Sequence, residues 1–367
     1  MLREFKVRNF MNFQDELVFS LSDEKKYDFN NHVIKNKIIR DAVLVGDNAT
    51  GKSNLGKAIL DITNHLTDNS VTNVSDGVYL NLFSKDAEAH FTYTFQFGDH
   101  IVCYKYDKSD VKTVTRETLS VDGKEIIKNS NNQVFVKLQG AENLNLDKKN
   151  INISFVKYVY ANTILDKNSI DAQVFTEFME FVQGMLFAAA ADVKTYAGFT
   201  NVRGNIFNLI CKMDNGVNDL EVFLKDMGIQ YELLQKDDIE GANIYCKFGE
   251  REVPLSAICS SGTRSLIFFF YWYRQNRDIK FIYLDEFDAF YHTKLSRKVL
   301  QMLIALDDVQ VIVSTHNTDT LSNEILRPDC YFELKENEIK PFYKKTSKAL
   351  REAHNLQKMY KAGAFNE

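Results

Sequence analysis

Proline is scarce in this chain, 3 residues in 367, so no proline-rich linker divides it. No stretch approaches the roughly 20 apolar residues that a membrane-spanning helix needs, and no partner membrane is expected. Met1 to Phe13 mix charged with apolar residues and lack the apolar core, about 7–15 residues long, of a secretory leader. Cysteine is sparse and scattered, at Cys103, Cys211, Cys246, Cys259 and Cys330. The number is odd and no CxxC pair occurs, which argues against a structural zinc site. Unpaired thiols fit a reducing compartment, so a cytoplasmic location is expected. An excess of positive charge is also missing: 45 basic residues face 50 acidic ones, a net charge of −5. That argues against a globally basic nucleic-acid binder and leaves room only for a local basic patch. No repeat of the 20–50-residue kind is visible.

What is present is an ordinary globular balance, 45% hydrophobic and 26% charged. The length allows one large domain, or one domain with a sizeable insertion. Such a chain can bury most of its apolar surface without metals or disulfides. Leu2, Phe5, Val7 and Phe10 predict an opening strand, and Leu17, Phe19 and Leu21 alternate as a second. Ala42 to Val45 reads as a buried parallel strand that ends in a glycine loop at Gly46. Lys52 to His65 carries Leu55, Ala58, Ile59 and Ile62 at helical spacing. Alternation over Ala89–Tyr106 predicts a hairpin turning at Gly98-Asp99, and Asp122-Gly123 marks another. Lys128 to Asn152 is polar and reads as a surface excursion, whereas Phe155 to Tyr160 is expected to be a core strand. Between about Asp166 and Gly228 three helical runs follow one another, led by Val174, Phe178, Phe181, Val182, Met185 and Leu186. This block is read as a helical subdomain inserted between the two halves of the α/β domain, with helices packed directly on the sheet as the alternative.

Gly46-Asp47-Asn48-Ala49-Thr50-Gly51-Lys52-Ser53 matches G-x-x-x-x-G-K-[ST] in full. Its glycines let the backbone wrap a phosphate with N–H groups, and the following helix turns its positive end toward the same anion. Lys52 is expected to reach the β- and γ-phosphates, and Ser53 to hold Mg²⁺. Phe281 to Asp285-Glu286 is a buried strand ending in two carboxylates, placed for Mg²⁺ (Asp285) and for polarising a water (Glu286). Alone this pattern is weak; more than 200 residues after a phosphate loop it is informative, and the gap demands an insertion. Val309 to Ser314 is a further buried strand, closed by Thr315-His316. A histidine there can hydrogen-bond a γ-phosphate, although a histidine taken alone is more often structural. Cys259-Ser260-Ser261-Gly262-Thr263-Arg264 precedes a helix over Leu266–Tyr273. The bland reading is an N-cap; the order of small-residue turn, helix and acidic strand is the one found in ABC-type ATPases.

On these residues the chain resembles the ABC/SMC-like branch of P-loop ATPases. It is more closely similar to the AAA15-type ATP-binding proteins of bacterial restriction and abortive-infection loci, the RloA and AbiLi type. The runs Phe5–Phe13, Gly46–Asn54, Leu284–Ala289, Ser314–Leu321 and Lys358–Phe365 carry that resemblance, which spans about two-thirds of the chain and none of 166–235. It implies an α/β fold of ABC/SMC-like P-loop NTPase type, with a β-rich N-terminal lobe and an inserted, mainly helical subdomain. The expected division is 1–165, 166–235, 236–345 and a C-terminal helix in 346–367. It implies ATP and Mg²⁺, bound by Gly46, Asn48, Ala49, Thr50, Gly51, Lys52, Ser53, Asn54, Asp285, Glu286 and the switch residue His316. Two copies are expected to sandwich the nucleotide, Ser261 and Gly262 completing the γ-phosphate cage in trans, with Asp288 beginning the D-loop. The further expectations are a homodimer or higher homo-oligomer and a separately encoded effector, nuclease or toxin, in anti-phage defence. The alternative is a DNA-engaged repair or recombination ATPase. DNA stays open as a partner, although the helical middle lacks a dense basic stripe. Departures from the pattern are Ser-Ser-Gly-Thr in the signature turn, Met11 where an arginine is common, and no assignable Q-loop glutamine; Gln96 lies inside an alternating strand. Ser347 to Lys361 reads as an amphipathic helix.

Overall fold

A computed structural model describes residues 1–22, 24–68, 76–130, 133–146, 153–189, 196–198, 205–238, 241–275 and 278–366. In chain order, β1 (Leu2–Arg8), β2 (Leu17–Ser20), the short pair β3 (Ile34–Lys35) and β4 (Ile38–Ile39), and β5 (Asp41–Val45) lead into α1 (Lys52–Leu66). A meander follows: β6 (Ala89–Phe97), β7 (His100–Lys108), β8 (Val114–Val121), β9 (Lys124–Asn129) and β10 (Val134–Val136). Then come α2 (Phe155–Asn162), α3 (Ile170–Gln183), β11 (Met185–Ala189), β12 (Tyr196–Gly198), α4 (Ile206–Cys211) and α5 (Gly216–Asp226). The small sheet β13 (Leu233–Asp238), β14 (Gly241–Phe248) and β15 (Arg251–Pro254) precedes α6 (Leu255–Ile258), α7 (Ser261–Arg274), β16 (Phe281–Asp285) and α8 (Thr293–Ile304). The chain finishes with β17 (Gln310–Thr315), β18 (Tyr331–Lys335), β19 (Glu338–Pro341) and α9 (Leu356–Lys361).

Two seven-stranded sheets organise these elements. The first, β10-β9-β8-β7-β6-β1-β2, is antiparallel, and its alternating residues bury one face, as in Phe91, Tyr93 and Phe95 of β6. The second runs β12-β11-β16-β17-β5-β18-β19, with β11, β16, β17, β5 and β18 parallel. Strands β5, β16 and β17 are buried along their whole length. That is why they read as continuous apolar runs instead of alternating ones. The expected hairpins form at Gly98-Asp99 and at Asp122-Gly123, where both turn residues have positive φ, 50° and 78°.

Helix α1 lies between the two sheets, so its burial exceeds the single stripe expected from Leu55, Ala58, Ile59 and Ile62. A Cβ on Gly56 would come within 2.5 Å of the Tyr283 ring on β16 and 2.7 Å of Phe187 on β11, so glycine sets the approach of helix to sheet. Toward the meander the helix buries polar groups. Asp61 accepts hydrogen bonds from Tyr106 Oη (2.9 Å), Tyr79 Oη (3.2 Å) and Lys108 Nζ (2.8 Å). The Asp61–Lys108 pair is essentially without solvent. Removing one partner of a buried pair strands the other charge. Lys108→Met is therefore expected to cost about 3–5 kcal/mol of stability, read by chemical denaturation, and the double change with Asp61→Leu is expected to recover most of it. An unchanged midpoint for Lys108→Met would contradict this.

Three expectations need correction. Residues 155–160 form a helix, α2, not a core strand. Ser154 caps it by accepting from Lys157 N, and the buried Glu117 carboxylate accepts from Ser154 Oγ (2.6 Å) and Phe155 N (2.7 Å), meeting the helix's orphan donors. The block 166–235 is not one insert. Its first helix, α3, packs on α1 and the meander, Phe178 and Phe181 meeting Phe95 ring to ring, while β11 pairs in parallel with β16 as part of the core sheet. Met185 and Leu186, read as helical, belong to that strand. The small sheet β13–β15, with α4 packed on β14 and α5 on β13, is separate from both seven-stranded sheets. In the C-terminal segment only Leu356–Lys361 is helical, capped by Asn355, whose side chain accepts from Lys358 N.

Candidate functional site

The parallel strands β5, β16 and β17 deliver their C-terminal ends to one edge of the second sheet. Beyond β5 the loop Gly46–Gly51 turns into α1. Its glycines are required by packing: a Cβ on Gly46 would sit 2.6 Å from the Leu334 carbonyl oxygen on β18, and Gly51 has φ 103°. Ala49 adopts φ 63°, uncommon for a residue with a side chain. Asn48 and Ala49 are exposed, while Thr50 is half-buried and donates from Oγ1 to Asp47 O (3.0 Å). Lys52 is 5% exposed and folds back over the loop, its Nζ donating to Gly46 O (2.8 Å) and Asp47 O (3.0 Å). Burial lowers its pKa, and the nearby carboxylates of Asp285, Glu286 and Asp47 work against that shift. Tyr283 on β16 anchors the start of the helix by donating to Lys52 O (2.6 Å).

The acidic strand end converges on this loop. Asp285 is 6% exposed and accepts from Ser314 Oγ (2.6 Å). Ser314 in turn accepts from Glu286 N (2.9 Å), so one hydroxyl fixes both acidic residues. Glu286 has φ 47°, a left-handed conformation that costs on the order of 1–2 kcal/mol and turns its side chain out of the strand register. Its Oε1 lies 3.4 Å from His316 Nε2, and His316 Nδ1 lies 3.4 Å from Lys52 Nζ. Lys52 at the start of α1, His316 after β17 and Glu286 after β16 thus form a chain of neighbours. The loop and His316 border a cavity of about 260 Å³ that Thr318 and Tyr360 also line.

Ser261 and Gly262 sit elsewhere. They open α7, where Ser260, not Ser261, is the cap, accepting from Thr263 N (3.1 Å). A Cβ on Gly262 would lie 2.9 Å from Phe290 O, and Ser265 Oγ bonds Tyr291 Oη (2.8 Å), so the turn rests on the loop after β16. Among the described residues no hydrogen bond joins it to positions 46–53 of its own chain. In that loop Asp288 is buried, with Oδ1 accepting from Thr315 Oγ1 (2.6 Å) and Oδ2 unpartnered; burial raises its carboxyl pKa.

The sequence reading missed three members of this neighbourhood. Asn12 accepts from Asn54 Nδ2 (2.6 Å), and a Cβ on Gly51 would lie 2.4 Å from Asn12 Nδ2, so the opening loop clasps the start of α1. Ser314 carried a signal, two residues before His316. Tyr360 lies in the run Lys358–Phe365, which carried the family resemblance but gave it no role: it reaches the cavity from α9, stacked on Phe342 and donating to Glu333 Oε1 (2.7 Å).

Magnesium in nucleotide sites takes one or two protein oxygens and completes its shell with phosphate and water. The Ser53 hydroxyl and the Asp285 carboxylate supply such hard oxygen donors. Among the described residues no group of three His, Cys, Asp or Glu is placed to hold a metal ion by itself. No described helix is long and apolar enough to cross a membrane.

Residues 219–322 match the family described as "AAA domain, putative AbiEii toxin, Type IV TA system". The match takes in Ser261, Gly262, Asp285, Glu286 and His316. No curated protein matches the chain. Among solved structures it is similar to an SMC head bound to the C-winged helix domain of ScpA, at 13% identity and TM-score 0.51 over 92% of this chain and 96% of that one. It is similar also to the SMC head domain from Thermotoga maritima, at 14% identity and TM-score 0.44 over 93% and 98%. A third is an Smc head domain with an extended coiled coil bound to the C-terminal domain of ScpA, derived from Pyrococcus furiosus, at 11% identity and TM-score 0.45 over 92% and 95%. The fold is that of a P-loop NTPase of ABC/SMC type. Residues 219–322 are similar to the AbiEii-type AAA domain.

Proposed function

We propose that the protein binds and hydrolyses ATP, and that two copies close around the nucleotide as a switch controlling a separately encoded effector in a bacterial defence system. The observation that carries the ATPase reading is the row Lys52, His316 and Glu286, with successive contacts of 3.4 Å and 3.4 Å, at the start of α1 and just beyond β17 and β16. On this reading the backbone N–H groups of residues 46–54 wrap the phosphates, and Lys52 leaves its loop carbonyls for the β- and γ-oxygens. Ser53 and Asp285 hold Mg²⁺, which neutralises phosphate charge when bound. Glu286 orients and polarises the attacking water, and His316 donates to the γ-phosphate.

The position of Ser261 and Gly262, off the phosphate loop of their own chain at an exposed helix start, supports their acting on a nucleotide held by a second copy. Hydrolysis then removes contacts made in only one state, which gives a two-state device. The match to a family described by a toxin and a Type IV TA system supports the defence reading. That a similar SMC head binds a ScpA domain supports seeking a partner protein for this one. Native mass measurement tests the sandwich: dimers are expected with ATP and magnesium and monomers with ADP. A protein that stays monomeric at saturating ATP would overturn it.

A further inference from the structure

The His316 ring is held loosely. Its contacts with Lys52 Nζ and Glu286 Oε1 are both 3.4 Å, longer than hydrogen bonds of the usual strength, and its side chain is 36% exposed. Where the ring sits is therefore set mainly by the backbone that carries it.

That backbone is fixed by a relay of side chains. Asn317 N donates to Thr315 Oγ1 (2.8 Å), and Asp319 N donates to Asn317 Oδ1 (2.9 Å). The Asp319 carboxylate then leaves the segment. Its Oδ1 accepts from Lys361 Nζ (2.9 Å) and from Gln357 Nε2, both on α9, and its Oδ2 accepts from Thr293 Oγ1 on α8 (3.2 Å). Gln357 and Lys361 stand one helical turn apart, so a single face of α9 brings two donors to one oxygen. The bond from Lys361 is the main reason that the Asp319 carboxyl lies below the usual carboxylate range.

The next residue back, Tyr360, ties the same helix to the other wall of the cavity. Its Oη donates to Glu333 Oε1 (2.7 Å), and Glu333 on β18 pairs with Val45, the residue before Gly46. Helix α9 thus bridges the base of the phosphate loop and the segment that carries His316, and Tyr360 lines the cavity that both border.

We propose that α9 is a positioning element of the nucleotide site: through Asp319 and Asn317, its residues Gln357 and Lys361 hold His316 in place beside the phosphate loop. This rests on the ATP reading above and adds to it a role for α9. These residues touch no reacting atom and act only on geometry. A displacement of about 1 Å can cost about 100-fold in rate. ADP has no γ-phosphate for His316 to meet, so its binding does not depend on that placement.

The test is single-turnover hydrolysis of ATP, with ADP affinity measured by calorimetric titration, on the full chain and on the double variant Gln357→Ala, Lys361→Ala. Hydrolysis is expected to slow by about 10- to 100-fold, with ADP affinity within about twofold of wild type. Lys361→Arg alone, which keeps a charged donor for Asp319, is expected to hydrolyse ATP at close to the wild-type rate. Tyr360→Phe keeps the ring stacked on Phe342 and removes only the bond to Glu333; it is expected to show the same split between rate and ADP affinity. In a His316→Ala background the double variant is expected to slow hydrolysis by less than about twofold more, because the group it positions is gone. Unchanged hydrolysis by the double variant overturns the proposal. Equal loss of hydrolysis and ADP affinity does so too, since α9 would then only support the fold. Losses that multiply with that of His316→Ala would mean that α9 acts through some other group, and they also overturn it. If the wild-type chain hydrolyses no ATP, the ATP reading itself has failed and the proposal with it. If the wild type hydrolyses ATP, His316→Ala slows it and the α9 variants do not, the positioning role alone has failed.

Discussion

Glu286→Gln is expected to lower ATP turnover by about 10²–10⁴-fold, the usual contribution of a general base, while ATP binding persists. The variant keeps the shape of the side chain, and the backbone geometry rests on Ser314 Oγ and the Glu286 N–H, which the substitution leaves in place. What it removes is the charge beside His316. Three carboxylates, Asp47, Asp285 and Glu286, already surround Lys52, so losing one lessens repulsion toward a triphosphate, and the ATP complex is expected to be as tight as wild type or tighter. On the proposed sandwich, this variant accumulates as an ATP-bound dimer. Single-turnover hydrolysis and native mass measured on the same sample check both parts. Wild-type turnover by the variant would remove Glu286 from the proposed role.

Lys52→Ala is expected to weaken ATP binding by at least about 100-fold, which at 1.4 kcal/mol per decade is about 2.8 kcal/mol. Charge-assisted bonds made by a largely buried cation reach this size. The ammonium already lies inside the loop, held by two of its carbonyls. Burial disfavours its charge, and a phosphate in contact would offset that cost. Calorimetric titration with ATP measures the loss. Undiminished affinity would mean that the loop is an ordinary glycine turn.

The fold was legible where one period dominated. The alternation of β6 and β7, the continuous apolar runs of β5, β16 and β17, and the phosphate loop all sit where the pattern places them. It failed where a single capping residue outweighed hydrophobicity. Phe155–Tyr160 is as apolar as a strand, but Ser154 and the distant Glu117 meet the donors of a helix start. It failed again where one run crossed two elements. Val174 to Leu186 keeps helical spacing through Phe181 and Val182, yet after Gly184 the chain joins the core sheet, where a Cβ on that glycine would lie 2.5 Å from Asp278 O. In the site, the residues with motif spacing were visible from the start. Asn12 and Tyr360 lie in runs that carry the family resemblance, Phe5–Phe13 and Lys358–Phe365, but their places were not visible, because those come from the docking of the chain ends beside the loop.

The central claim is that the loop lysine and the acidic strand end act on one triphosphate. Introducing Lys52→Ala into the Glu286→Gln background and following ATP-dependent dimer formation by native mass addresses it directly. If the two segments share a nucleotide, the double variant loses both ATP binding and the trapped dimer. A double variant that still assembles with ATP as readily as Glu286→Gln alone would contradict the account.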